Sequence, residues 1–511
     1  MHLGTVAKRA PDRPAVVMGS SGAVVTFKQL DEGSNRLAHL MRGRGVERGG
    51  RIAIFLENHP RFLEVAWAAQ RAGLAYTTVN SHLTTEEAAY IVNDCGATVV
   101  VSSRQLATVA TTLTPELTPN VHTRLMVDRA ADGWESYEEA VGGKPANAID
   151  DECEGDFVFY SSGTTGRPKG IERPLTFAPM GEGLPGAVPL LQTLGLTDGD
   201  VYLCPAPLFH GAPLTYSIGA QRLGATVVVM ERFDAADALR LIEEHSVTHS
   251  QWVPTMFVRM LKLDEQERQV HDLSSHRAAV HAAAPCPVPV KQQMIEWWGP
   301  IVYEYYSATE GVGMTFIDSV DWLAHPGSVG KAVVGDAHVL DEAGQECPLG
   351  EPGTVWFSGG YAFEYHNDPD KTAAAHNDRG YATVGDIGYL DADGYLFLTD
   401  RSVNMIISGG ANIYPQEAEN VLIMHPKVLD VAVFGVPNDD LGEEVKAVVQ
   451  PVDWADADPD LEEELLAFAR ARLASYKCPR SVDFAAELPR LDNGKLYKRV
   501  LRERYRADAA T

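Results

Sequence analysis

Apolar and polar positions follow two periods along this chain, and the switches between them mark its elements. Phe27, Leu30, Leu37, Ala38 and Met41 recur at helical spacing across residues 26–42, which predicts an amphipathic helix. Ile52-Ala53-Ile54-Phe55 follows as a short continuous apolar run, the pattern of a buried strand. A second helical pattern spans Phe62 to Ala72, and a β-like Tyr76-Thr77-Thr78-Val79 comes after it. Thr84 with Glu87 three residues on is a capping-box signal for a helix running towards Asp94, ahead of the apolar Thr98-Val99-Val100-Val101. Helices that alternate with short apolar strands predict a layered α/β sheet, whose amphipathic residues are core.

The alternation returns over 201–316, most clearly in an apolar strand Val227-Val228-Val229-Met230 and a helical pattern from Ala235 to Glu244. Between these stretches, 111–150 is polar and rich in Ala and Asp, and reads as a surface connection. From 331 to 399 the pattern turns β-rich, with Asp393-Gly394 between apolar runs as a hairpin turn. After Arg401 the composition resets. It offers a helix near Gln416 to Met424, strands near Val428 to Val436 and Val445 to Val452, a helix from Leu461 to Leu473 and a strand near Val482. A unit of about 110 residues is a reasonable domain size, and 511 residues exceed what one core supports. The expected fold class is therefore α/β. A large N-terminal domain over 1–400 holds two layered α/β sheets and a β-rich subdomain, and a small α+β C-terminal domain covers 401–511.

Charge narrows the partners. Lys and Arg number 43 against 70 Asp and Glu, a net charge of −27, which argues against nucleic acid or an anionic membrane surface. The six cysteines are scattered, with no Cys-x-x-Cys pair and no His grouping at zinc spacing, so reduced thiols are the expectation. No apolar run is long enough for a signal peptide or a membrane span. The expected location is cytoplasmic, and oligomeric state stays open.

The chemistry gathers around Tyr160-Ser161-Ser162-Gly163-Thr164-Thr165-Gly166-Arg167-Pro168-Lys169-Gly170, which the apolar Phe157-Val158-Phe159 feeds into. Glycine-rich backbone N–H groups, hydroxyls and a lysine suit polyphosphate. A Walker loop is excluded, because Pro168 precedes Lys169 and Gly170 follows it. Composition alone leaves a flexible Gly/Ser linker equally open.

Further motifs follow in order: Pro207-Leu208-Phe209-His210, Ala283-Ala284-Pro285, Tyr306-Ser307-Ala308-Thr309-Glu310, Val384-Gly385-Asp386, Asp400-Arg401 through Ser408-Gly409-Gly410, and Pro489-Arg490 through Asn493-Gly494-Lys495. With the loop, this set resembles the adenylate-forming superfamily of acyl-CoA synthetases, adenylation domains and luciferases. It is most similar to bacterial fatty-acyl and related CoA ligases.

That resemblance implies an AMP-forming carboxylate:CoA ligase with ATP, Mg2+ and coenzyme A as co-substrates, the site lying between the large domain and a mobile C-terminal lid. Ser161, Ser162, Gly163, Thr164, Thr165, Gly166 and Lys169 would bind the phosphates. Thr309 would meet the α-phosphate and Glu310 the magnesium. Tyr306, Ala283 and Ala284 would hold adenine, with Asp386 and Arg401 on ribose or phosphate oxygens. His210, Trp252, Ser307 and Met314 would wall the acyl pocket, with His210 beside the carboxylate. Lys495 would bridge carboxylate and α-phosphate. Ser408, Gly409 and Gly410 would line the thiol path, with Lys446 and Lys477 as weaker candidates for CoA phosphates. Ser307 stands where many members have glycine, and Val403 where they carry a charged hinge. No aspartate follows Phe209, which argues against amino acids; a fatty, steroid side-chain or aryl acid is expected. An acyl-AMP ligase feeding a carrier protein and a nucleotide-binding regulator without turnover are the rivals.

Overall fold

The computed structural model describes residues 2–161, 168–182, 187–401, 404–409, 411–438, 440–490 and 496–509. These residues form a mixed α/β protein in two compact units, one made of residues 1–252, 265–280 and 362–372, the other of 253–264, 281–361 and 373–511.

The first unit holds an eight-stranded sheet in the order Glu364–Tyr365, Lys169–Glu172, Asp156–Ser161, Ala75–Thr78, Arg51–Phe55, Val99–Ser103, Thr123–Val127 and Glu135–Ser136. Its interior pairs are parallel, and the strands after the Ser/Gly-rich loop run antiparallel. Parallel strands covered on both faces need apolar side chains on both, which is why Ile52 to Phe55 and Val99 to Val101 are at most 1% exposed. Full burial of one such side chain contributes about 1.5–3 kcal/mol. Phe27–Gly43 begins as the periodicity predicts: Gln29 N–H donates to Thr26 Oγ1 at 3.2 Å and Thr26 N–H to Gln29 Oε1 at 2.9 Å. At Thr85–Asp94, Thr84 N–H donates to Glu87 Oε2 at 2.9 Å.

One expectation fails. Within 111–150 lies Thr123–Val127, a strand whose five residues are all buried, so this stretch is not simply a surface connection. A central strand covered on both faces shows no alternation to read. Its Arg124 hides by giving each guanidinium nitrogen a nearby oxygen: Leu113 O at 2.9 Å, Val121 O at 2.7 Å and Thr118 Oγ1 at 2.7 Å.

A further run of strands in this unit orders His249–Trp252, Val201–Cys204, Thr226–Val229, Pro14–Met18 and Val24–Thr26, parallel except at the last pair. Just ahead of the strand Asp156–Ser161, Glu154 pairs with Arg222 through two bonds of 2.8 and 2.7 Å, the Arg222 and Glu154 side chains 1% and 4% exposed. Gln70 donates to the same carboxylate at 2.7 Å.

The second unit carries the antiparallel strands Asp336–Leu340, Gly353–Ser358, Asp386–Leu390, Leu396–Arg401, Ser328–Val334, Met314–Ile317 and Val302–Ser307 in that spatial order. The Asp393-Gly394 turn closes one hairpin, with Gly394 at φ 81° and its N–H on Asp391 O at 3.2 Å. The C-terminal part forms its own sheet of Ala411–Ile413, Ile406–Ser408, Gly442–Pro451 and Val428–Asn438, with Ser481–Phe484 parallel to Gly442–Pro451. Helices Pro415–Leu422, Pro459–Arg470 and Lys498–Ala509 accompany it. The last of these is absent from the pattern reading because its sequence is mostly charged.

A fully buried ion pair sits in this second unit. Lys291 Nζ donates to Glu304 Oε2 at 2.6 Å with Lys291 0% exposed, and lies 4.9 Å from the Trp322 ring centroid. His281 Nε2 is 3.5 Å from the same carboxylate oxygen.

Candidate active site

Lys169 opens the strand Lys169–Glu172 after the Ser/Gly-rich loop, and its ammonium meets Asp368 Oδ2 at 2.7 Å. That bond raises the Lys169 pKa above its ordinary value, so the side chain is cationic at neutral pH. Ser162 to Gly166 lie outside the described residues, as does the side chain of Ser161. The strand ahead of the loop is pinned by Tyr160, whose hydroxyl donates to Asp94 Oδ2 at 2.6 Å. Tyr90 donates to Pro168 O at 3.2 Å.

His210 is the N-cap residue of helix Gly211–Leu223, in extended backbone conformation. Its segment is held from distant positions: Thr78 Oγ1 donates to Phe209 O at 2.6 Å, and Leu208 N–H donates to Asn58 Oδ1 at 2.7 Å. Asn58 in turn donates to Ala206 O at 3.2 Å and Met230 O at 2.7 Å. Sequence reasoning passed over both residues, and nothing in their local pattern marks them. The His210 ring packs on Phe209 at 4.5 Å between centroids, and its Nε2 is buried with no hydrogen-bond partner among the described residues. Burial, helped by His82, pushes its pKa down to about 3, so the imidazole is neutral. Gly211 passes so close to Phe159 that a Cβ there would sit 3.1 Å from the ring. Trp252 is fully buried, with its indole N–H on Ser250 Oγ at 2.5 Å. That is the setting of a core residue.

In the second unit, Tyr306 and Asp386 come together. The phenol donates to Asp386 Oδ2 at 2.7 Å, and Asp386 is 7% exposed. Gly385, at φ 81°, sets the aspartate at the start of its strand and donates to Thr383 Oγ1 at 3.1 Å. Arg401 is the Cα partner of Asp386 across the hairpin; its side chain lies outside what is described. Ala283 holds φ 76°, a left-handed conformation costly to any residue with a Cβ and a mark of functional loops. It is exposed and Ala284 half-buried. Thr309 is exposed, whereas Glu310 is 8% exposed, in a turn closed by Gly311 N–H on Ala308 O at 2.9 Å.

Ser307 and Met314 are cross-strand partners, so these two wall candidates are neighbours. The Ser307 hydroxyl donates to Gly313 O at 2.8 Å and thereby ties the turn between their strands.

Ser408 pairs with Ala411, and Gly409 adopts φ 56° with its N–H on Leu441 O at 2.9 Å. Gly410, Val403 and Lys495 lie outside the described residues. Flanking Lys495, Arg490 and Leu496 form an antiparallel bridge, and Arg490 grips Asp430 through two bonds. Lys446 is engaged by Asp483 at 2.5 Å and Ser481 at 3.0 Å, and Lys477 by Glu417 at 2.5 Å. Either lysine would have to leave a carboxylate to reach a phosphate.

The first unit thus offers a cation at the start of the strand after the Ser/Gly-rich loop and a neutral buried imidazole, and the second a tyrosine-held carboxylate. The sequence matches the model of the AMP-binding enzyme family over residues 3–365 and that of the AMP-binding enzyme C-terminal domain over 417–495. It is 33% identical over 508 residues to the long-chain-fatty-acid–CoA ligase FadD13 of Mycobacterium tuberculosis (strain ATCC 25618 / H37Rv), covering 98% of this chain and 96% of that protein. It is 34% identical over 502 residues to a feruloyl-CoA synthase of Amycolatopsis sp, covering 98% and 97%. Among solved structures, the o-succinylbenzoate CoA synthetase of Bacillus subtilis in complex with the acyl-adenylate intermediate OSB-AMP matches with a TM-score of 0.81 at 27% identity, over 98% of this chain and 97% of that one. With such likeness along nearly its whole length, the chain belongs to the AMP-binding enzyme family.

Proposed function

We propose that the chain is an AMP-forming acyl-CoA ligase for a hydrophobic carboxylic acid of the fatty, steroid side-chain or aryl class. The observation that carries this reading is the match, along 98% of the chain, to enzymes named as CoA ligases for a long-chain fatty acid and for ferulate. A carboxylate oxygen attacks the α-phosphorus of ATP and pyrophosphate departs. The CoA thiol then adds to the acyl carbon, the bond to the phosphate oxygen breaks, and AMP leaves.

Each step asks for something the residues can supply. Two anions must meet in the first, so positive charge and alignment are needed. Lys169 and the loop hydroxyls take the β- and γ-phosphates, and Lys495 stabilises charge between carboxylate and α-phosphate. Glu310 offers a hard oxygen largely removed from water, the donor type a magnesium ion takes alongside phosphate oxygens. When bound, the ion offsets phosphate charge. Tyr306 offers a face to adenine while fixing Asp386 for the ribose hydroxyls. Neutral His210 borders the acid with one N–H to donate. Residues 1–400 form the nucleotide and acid domain, and 401–511 the lid that brings Lys495 for adenylation and Ser408 to Gly410 for thiolysis. Among the described residues no helix is long and apolar enough to cross a membrane.

The test supplies ATP, Mg2+, CoA and a panel of short, medium, long, aryl and steroid acids, and follows pyrophosphate release and free acyl-CoA by mass spectrometry. Acid-dependent formation of both products is expected. Pyrophosphate without free thioester would overturn the CoA reading, and no turnover with any acid would overturn ligation itself.

A further inference from the structure

Residues 362–372 belong to the first unit although the chain on either side of them belongs to the second. They are stitched to the strand that leaves the Ser/Gly-rich loop. Tyr365 pairs with Ile171, and His366 N–H donates to Gly170 O at 2.8 Å. The His366 ring spans Asp94 O at 2.8 Å and Glu172 Oε2 at 3.2 Å. Gly170 is a close approach: a Cβ there would lie 3.0 Å from the Tyr160 ring and 3.2 Å from His366 Cβ. The segment therefore has little freedom to slide, and it ends by placing Asp368 against Lys169 at 2.7 Å. Asp368 is anchored by a second bond, accepting from Lys371 N–H at 3.1 Å as helix Pro369–Ala374 begins.

We propose that Asp368 is a positioning residue for Lys169: it fixes the ammonium at the start of the strand that follows the Ser/Gly-rich loop and competes with polyphosphate oxygens for it. This rests on the ATP reading above. With one of its three N–H donors on Asp368, the ammonium offers polyphosphate only the other two, and the carboxylate repels the incoming anion there. Asp368 thus sets both where Lys169 waits and how tightly pyrophosphate is held. A product held less tightly leaves sooner. The raised pKa of Lys169 and the lowered pKa of Asp368, each caused first by their mutual bond, agree with a persistent pair.

Asp368→Asn separates the charge from the fold, since asparagine is an equally good residue at a helix start. Calorimetric titration of inorganic pyrophosphate with Mg2+ into the full chain is the measurement, made on wild type, Asp368→Asn, Asp368→Glu, Lys169→Ala and the Lys169→Ala/Asp368→Asn double variant. Asp368→Asn should tighten pyrophosphate about two- to fivefold, the range of an exposed ion pair. It should also lower KM for ATP and kcat for adenylation together, and Asp368→Glu should return all three towards wild type. In the Lys169→Ala background the asparagine should change nothing. Unchanged pyrophosphate affinity in the folded Asp368→Asn chain would overturn the proposal, as would equal tightening without Lys169, which would make Asp368 a repelling charge only. A wild-type chain that binds pyrophosphate and shows the Asp368 effect, but releases none from ATP with any acid, would support the pairing and overturn the ligase reading alone.

Discussion

The Tyr306 phenol hydrogen-bonds the Asp386 carboxylate at 2.7 Å across 80 positions of sequence. A carboxylate that is 7% exposed must be well partnered, and the phenol fixes its orientation for the ribose contact proposed above. Asp386→Ala should therefore raise KM for ATP about tenfold or more, the cost of a hydrogen bond to a charged group. Tyr306→Phe should cost several-fold. The two should be non-additive in a double-mutant cycle read by pyrophosphate release, and strict additivity would separate their roles.

Lys495 is assigned by motif. Its removal should slow adenylation by about 10²–10³ or more, the loss typical of one preorganised donor. Lys495→Ala should still convert supplied acyl-adenylate and CoA to thioester near the normal rate. Equal loss in both assays would remove the two-conformation account of the lid.

Ser307→Gly should act twice. It frees the Gly313 carbonyl from its 2.8 Å bond, which should lower stability by about 1 kcal/mol in urea melts. It also removes a hydroxymethyl group next to Met314, which should shift kcat/KM towards bulkier acids. Unchanged stability would dismiss the bond, and an unchanged rank order of acids would dismiss Ser307 from the pocket.

Burial pushes the pKa values of His210 and His276 down to about 3, against about 6.5 in an unfolded chain. Between these values the unfolded chain binds protons that the folded chain does not, so stability rises with pH. It is complete above about pH 6.5 and is lost as pH falls towards 3. Thermal melts from pH 7 to 4.5 should show a falling Tm, and His276→Gln should reduce the slope by about one proton. A slope that the variant leaves unchanged would contradict neutral burial of His276.

Local signals made much of the fold legible. Thr84 and Glu87 cap a helix from three residues apart, and the Asp393-Gly394 hairpin is written in two adjacent residues. Thr123–Val127 was missed because both its faces are covered and Arg124 breaks its apolar run while spending its donors on nearby oxygens. The motifs marked Tyr306 and Asp386 separately; their bond became visible only in three dimensions. Asn58 and Thr78 hold the His210 segment from 150 and 131 positions away, and no window of sequence joins such pairs. Asp368 was missed for the same reason, since it reads as one more acid before a proline.

The Lys291–Glu304 pair ties two positions into one heritable trait. With Lys291 0% exposed, replacing either partner alone strands a charge without water and costs about 3–5 kcal/mol. Replacing both by apolar residues of similar volume is often neutral. Descendants of this chain can thus keep the pair or discard it, and any lineage passing through one change at a time must cross a deep valley in stability. Lys291→Met and Glu304→Leu should each impair folding, while the double variant should recover most of the wild-type Tm.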